Sequence, residues 1–213
     1  MLKLRLDGIR SILCIGAHAD DIEIGCGGTI LKLLEEYADL HVHWIVLSSE
    51  GERQAEALRS ADRFLESAAK KSIVTQNFPD AYFPYNGGEI KEFFNELGET
   101  IDPDLVLTHR LEDRHQDHRL VAELTWNTFR NHLIFEYEIP KYEGDLGTPN
   151  VYMPLSRSQC EQKIEMIIQS FSSQSAKNWF APETFWAMLQ LRGIEAGPHA
   201  GYAEGLYCRK LTA

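Results

Sequence analysis

The 213-residue chain contains no C-x-x-C pair. Its four cysteines, Cys14, Cys26, Cys160 and Cys208, are scattered, which removes the common thiolate zinc site and any disulfide framework. No apolar run approaches the roughly 20 residues of a membrane-spanning helix. The N-terminal MLKLRLDGIR breaks its few apolar residues with charge and builds no signal-peptide core. Basic residues are the scarcer charge. Lys and Arg number 21 against 32 Asp and Glu, a formal net charge of −11. No cluster of cations marks a phosphate-binding face, so nucleic acid and anionic membrane are excluded as general partners. These absences lead us to expect a cytoplasmic protein in a reducing compartment, whose partners are small or neutral.

Repeats, low-complexity stretches and linkers are also missing. A hydrophobic content of 44% over this length can bury one substantial core, so residues 1–213 read as a single domain. Short runs rich in β-branched and aromatic residues read as strands: SILCIGA (11–17), LHVHWIVLS (40–48), KSIVTQNF (71–78), DLVLTH (104–109), HLIFEYEI (132–139) and NVYMPL (150–155). Between them TILKLLEEY, GERQAEALRSADRFLESAAK, EIKEFFNELGETI and DHRLVAELTWNTF carry helical spacing. Alternation of this kind predicts an α/β, Rossmann-like open sheet, mostly parallel, with helices on both faces. Beyond residue 156, Ser156 or Ser158 is placed to cap a helix with Cys160, Ile164, Ile167, Ile168 and Phe171 on one stripe. APETFWAMLQL is a second apolar segment there, and GLYCRKL reads as a closing strand.

Chemistry is concentrated after two of the strands. GAHADDIEIGCGG (16–28) places His18, Asp20 and Asp21 just beyond the first, and RLEDRHQDHRL places Asp113, His115, Asp117 and His118 just beyond the fourth, which ends in His109. In open parallel sheets ligands sit over the carboxyl ends of strands, so the two clusters meet if these strands are neighbours. His18, Asp21 and His118 then supply a His₂Asp set of the kind that holds catalytic zinc with one position open. Such an ion makes water acidic enough to lose a proton near neutral pH. Asp20 is the candidate to accept that proton, because its side chain leaves the backbone in a different direction from that of Asp21. His115 would act as electrophile or acid at the attacked carbonyl, with Asp117 holding its ring protonated.

AHADDIEIGCGGTI together with THRLEDRHQDHRLV resembles the paired motifs of the LmbE-like, or PIG-L-type, zinc-dependent N-acetylglucosaminide deacetylases. The likeness is strongest over residues 11–122 and fades to SSQ (172–174) and YAEGLY (202–207) in the last third. The resemblance implies a Rossmann-like fold and hydrolysis of the N-acetyl group of a glucosamine-type sugar, free or on a glycan precursor. It implies the same ligands, His18, Asp21 and His118, with Asp20 as base and His115 supported by Asp117. It also brings Arg53 and Asp80 to positions that contact the sugar. Zinc is the implied metal, other divalent ions are used by members, and homo-oligomers occur among them. Where the family usually has proline between the first His and the Asp pair, this chain has Ala19, which loosens the turn without adding a competing ligand.

Blander readings stand beside these. Asp21 alone is a plausible helix cap, and HQDH alone is a polar helix start. Gly25, Gly27 and Gly28 do not form G-x-G-x-x-G, so close packing of a helix on the sheet is expected of them rather than dinucleotide binding. Glu23 is assigned to the loop or helix start, His41 and His43 to a surface face, and His199 to a glycine-rich loop. His109 reads equally as a neighbour of the site or as a strand-end histidine bonded to backbone. Trp126, Trp179 and Trp186 read as core or interface before sugar platforms. The competing functions are a metal-dependent hydrolase of another small amide, a non-catalytic metal- or carbohydrate-binding module, and a nucleotide-binding domain.

Overall fold

The computed structural model describes residues 4–212. The described strands are β1 (Ser11–His18), β2 (His41–Ser48), β3 (Lys70–Thr75), β4 (Leu105–His109), β5 (Leu133–Tyr137), β6 (Val151–Leu155) and β7 (Tyr202–Tyr207). The helices are α1 (Asp21–Glu36), α2 (Glu52–Phe64), α3 (Gly87–Thr100), α4 (Gln116–Thr128), α5 (Arg157–Ser170) and α6 (Pro182–Ala196). The strands form one sheet in the order β3-β2-β1-β4-β5-β7-β6. β1 to β5 pair in parallel, whereas β7 runs antiparallel to both β5 and β6.

Alternate residues of each central strand feed two separate cores, as a period of two requires. Ile12, Cys14, Val42, Trp44, Leu105 and Leu107 face one side, under α1, α2, α5 and α6. Leu13, Ile15, Ile45, Leu47 and Val106 face the other, with Phe94 of α3 and Val121 of α4. Both faces are covered, as expected of a parallel sheet. The chain leaves β1 toward β2 on one side and returns to β4 on the other, so the crevice lies over the ends of β1 and β4, whose register pairs Cys14 with Leu107.

Differences from the sequence reading lie at element ends. α2 stops at Phe64, because Lys70 already begins β3. The closing strand is Tyr202–Tyr207 rather than a run reaching Leu211; after it Arg209 turns to Glu136 (2.5 Å) and leaves the ladder. Ser156 does cap α5, in a capping box with Gln159.

Helix α1 begins at Asp21 and is broken at Cys26, whose φ of −145° is not helical. A break exposes new backbone donors, as any helix start does. Here Glu204 of β7 takes them: its carboxylate accepts from the backbone N–H of Gly28 (2.8 Å) and Thr29 (2.6 Å) and from the Thr29 hydroxyl (2.6 Å). Lys163 of α5 balances that buried charge at 2.6 Å. The glycines serve packing. A Cβ on Gly25 would intersect the Tyr137 ring, and one on Gly27 would meet Phe64 at 2.8 Å.

Candidate active site

His18 ends β1 and Asp21 opens α1, so a turn of two residues sets both side chains over the crevice. His118 comes from the first turn of α4, which follows β4 directly. The atoms His18 Nδ1, Asp21 Oδ2 and His118 Nε2 form a triangle with sides of 3.1, 3.3 and 3.5 Å. A tetrahedral ion with bonds of about 2.0–2.1 Å holds its ligand atoms about 3.3 Å apart, so the triangle has the size of one face of such a site.

Outer carboxylates decide which way the rings present their lone pairs. Asp113 Oδ2 lies 3.0 Å from His118 Nδ1, which places the proton there and leaves Nε2 bare toward the triangle. Burial pushes the His118 imidazole down to about 3, keeping it neutral. For His18 the outer nitrogen, Nε2, faces Asp80 Oδ1 at 3.0 Å and Asp117 Oδ2 at 3.2 Å, so Nδ1 points inward. Burial works against a charged His18, but its hydrogen bonds with Asp117, Asp21 and Asp80 outweigh that and hold the ring well above the usual imidazole range. Positive charge is favoured here, and a divalent ion satisfies the same three atoms by displacing a proton.

Other groupings of potential ligand atoms fit less well. Asp21, His109 and His118 are close, yet His109 Nε2 accepts the Ala17 backbone N–H at 3.0 Å, so its lone pair is occupied. His109 is thus both things the sequence allowed: bonded to backbone, and stacked on His118 with ring centroids 3.9 Å apart. His18, Asp80, His115 and Asp117 also cluster, but Asp117 accepts from the backbone N–H of Ala81 (2.7 Å) and Phe83 (3.1 Å).

Those bonds correct one expectation. Asp117 was to orient His115; instead it fixes the loop at residues 81–83 and faces His18. His115 lies edge-on to His18, ring centroids 5.0 Å apart, and its Nδ1 is buried without a partner among the described residues. Burial lowers its pKa, with His18 adding to the effect, so the resting ring is neutral rather than protonated.

Asp20 is buried at the start of α1 and caps nothing with its side chain. Its Oδ1 meets Arg53 at 2.9 Å, and its Oδ2 has no partner among the described residues. Burial raises its pKa, Asp21 adds to the rise, and Arg53 opposes it. Arg53 in turn is held by Glu56 at 3.0 Å, a fully buried carboxylate that also takes the Ser172 hydroxyl (3.2 Å) and the N–H (2.9 Å) and hydroxyl (2.6 Å) of Ser173. The weak SSQ likeness therefore marks the support beneath Arg53. Glu23 is no competing ligand: burial pushes its carboxyl up to about 8, and neither oxygen has a hydrogen-bond partner within normal distance among the described residues.

Two supporting residues carried no role in the sequence reading. Asp113 binds the His115 N–H (2.8 Å) through one oxygen and His118 through the other, and Lys141 holds it at 2.9 Å. The signal was present, an aspartate five residues before His118, but Lys141 lies 28 residues away. We expect Asp113→Asn to weaken zinc binding about 10–100-fold, the usual cost of losing such an outer carboxylate. Competition against a chelating dye measures this, and an unchanged affinity would remove Asp113 from the metal's support.

His18, Asp20, Asp21, Arg53, Asp80, His115 and His118 all line one cleft of about 550 Å³. Helices long and apolar enough to cross a membrane are absent among the described residues.

The chain is 31% identical over 125 residues to the diacetylchitobiose deacetylase of Thermococcus kodakarensis, an alignment covering 52% of this chain and 46% of that protein. It therefore spans about half the length of that relative. The N,N′-diacetylchitobiose deacetylase from Pyrococcus horikoshii, solved with its inhibitor MPG, superposes with a TM-score of 0.69 at 20% identity, covering 94% of this chain and 84% of that one. GalB, the 4-carboxy-2-hydroxymuconate hydratase of Pseudomonas putida KT2440, superposes with a TM-score of 0.68 at 19% identity over 96% and 98% of the two chains. The last two likenesses establish the fold alone. The family model described as PIG-L: GlcNAc-PI de-N-acetylase matches residues 13–129, more than half of the chain and both clusters that build the cleft, and the chain accordingly belongs to the PIG-L, or LmbE-like, deacetylase family.

Proposed function

We propose that the protein is a zinc-dependent N-deacetylase that hydrolyses the acetamide of an N-acetylglucosamine-type sugar or glycan precursor and releases acetate. One observation carries the reading: three inward-facing ligand atoms stand beside a buried carboxylate, Asp20, a lining residue of the same cleft whose Oδ2 has no partner among the described residues.

His18, Asp21 and His118 would hold the ion. When bound, a divalent ion there supplies Lewis acidity, polarising the amide carbonyl and making water more acidic. The chain's own groups do the rest. Asp20 Oδ2 takes a proton from water as the oxygen adds to the carbonyl carbon, and its raised pKa makes it a better acceptor than an exposed aspartate. Arg53 fixes the other oxygen, so the accepting one keeps its direction. Neutral His115 donates its N–H to the carbonyl oxygen as negative charge builds there, which favours the electrophile over the acid in its expected role. As the C–N bond breaks, the nitrogen leaves as an amine carrying the proton that Asp20 accepted. Arg53 and Asp80 stand at the cleft, where sugar hydroxyls would meet them.

The test is acetate release from a panel of N-acetylated sugars, with and without added zinc. Metal-dependent release from glucosamine-type members is expected. Release only from other small amides would move the protein to a different hydrolase class, and release from none, with the metal bound, would leave it a binding module.

A further inference from the structure

Asp21 opens, and Asp20 immediately precedes, a very short piece of helix. Because α1 is non-helical at Cys26, the part ahead of the break, Asp21 to Gly25, is little more than one turn. A single turn closes too few hydrogen bonds to hold itself in water. Within it the Ile24 N–H reaches the Asp20 carbonyl at 3.1 Å, and at its start the Asp21 carboxylate accepts the His18 N–H at 2.7 Å. The direction of its far end has to be set from outside.

An unbroken helix would link the Gly28 N–H to the Ile24 carbonyl. Here the two ends of that link go to the two members of one ion pair. Lys163 Nζ donates to the Ile24 carbonyl at 2.7 Å, Glu204 Oε1 accepts from the Gly28 N–H at 2.8 Å, and Nζ and Oε1 lie 2.6 Å apart. The signs suit the two half-helices: the ammonium sits at the carbonyl end of the first, the carboxylate at the N–H end of the second. Both residues are 3% exposed. Burial of an ion pair is weak evidence of stabilisation, since apolar side chains of similar volume often serve as well; directed bonds to two halves of a helix are what apolar side chains could not supply. The fit at the break is close. A Cβ on Gly28 would lie 2.9 Å from Glu204 Oε1 and 2.4 Å from Leu155 Cδ1.

We infer that Lys163 and Glu204 are positioning residues of the active site: by filling the break in α1 they fix the direction of its first turn, and with it the placing of Asp20 and of the Asp21 carboxylate against His18 and His118. Neither lines the cleft; both act through the backbone of Ile24 and Gly28. The inference rests on the proposed metal site for its catalytic consequence, and on the geometry of the break alone for the hold on the turn.

The test disturbs the break in two ways. Lys163→Met combined with Glu204→Gln removes both charges together, so that neither is stranded, whereas Gly28→Ala keeps both and forces Glu204 aside. Phe94→Leu, in the core on the other face of the sheet, is the control for stability lost elsewhere. On each protein zinc affinity is measured by competition with a chelating dye, kcat and KM by acetate release at saturating zinc, and amide hydrogen exchange on the zinc-free form. Both break variants should bind zinc about tenfold more weakly, the lower end of the cost of losing an outer partner of a ligand. They should lose on the order of 10–100-fold in kcat with little change in KM, as misplaced reacting groups do, and exchange the amides of residues 21–29 faster while β1 and β4 stay protected. Phe94→Leu should melt at a lower temperature with its zinc affinity unchanged. Unchanged zinc affinity or unchanged exchange in both break variants, or equal losses in Phe94→Leu, overturns the inference and leaves the ion pair a contact of the core. If the double variant does not fold, Gly28→Ala decides alone. A wild type that binds no zinc or releases no acetate overturns the proposed function, while exchange over residues 21–29 still decides for or against the hold on the turn.

Discussion

Asp20→Asn is expected to bind zinc as the wild type does, near one ion per chain, and to lose about 10²–10⁴-fold in kcat, the usual share of a positioned general base. The substitution keeps the shape of the side chain, and its amide oxygen can still meet Arg53, so the start of α1 should hold. What disappears is an oxygen able to accept a proton. Asp21, one residue on, cannot replace it, since its Oδ2 already receives the His18 backbone N–H at 2.7 Å and faces the ligand triangle. The loss should fall on kcat with little change in KM, because the proposed role of Asp20 is on the water rather than on ground-state sugar. Acetate release at the wild-type rate would remove Asp20 from the chemistry.

His118→Ala should abolish activity by a different route, through loss of the ion. Only three atoms form the triangle, and removing one costs more than the 10–100-fold expected of an outer carboxylate. Metal analysis after gel filtration should find the variant empty, and added zinc should restore chelated wild type but not the variant. Should chelation leave acetate release from wild type unchanged, the metal mechanism fails and the two histidines need another explanation. This contrast with Asp20→Asn, full of metal yet inactive, separates holding the ion from using it. The fold cannot make that distinction, because GalB, a hydratase, superposes as well as a deacetylase does.

How far the site could be read in advance follows from where its parts lie in the chain. His18, Asp20 and Asp21 are neighbours, and HQDH is four residues long; each cluster follows an apolar run that could only be a buried strand, so their meeting depended on one fact, that β1 lies beside β4. Asp117 shows the limit. Two residues from His115 in sequence, it turns to the backbone of Ala81 and Phe83, because the first turn of α4 points it into that loop. Glu56 and Glu204 were beyond reach for another reason. Each is a single carboxylate in a helical or strand pattern, and its backbone N–H and hydroxyl partners lie 116 to 117 and 175 to 176 residues away. Lys163 likewise sits in the apolar stripe of α5, where spacing predicts contact with the core but not a buried ion pair. Trp179 was assigned to core or interface; its inner side is packed, and the side that lines the cleft became visible only once the loops after β5 and α5 were seen together.

The interrupted first helix has a temporal corollary. Donors freed at Cys26 find their acceptor on β7, some 175 residues downstream. During translation the nascent chain can pair β1 with β2 early, yet the backbone N–H groups of Gly28 and Thr29 lack their Glu204 acceptor until residues 202–207 have left the ribosome, so the second half of α1 is completed only by the last strand.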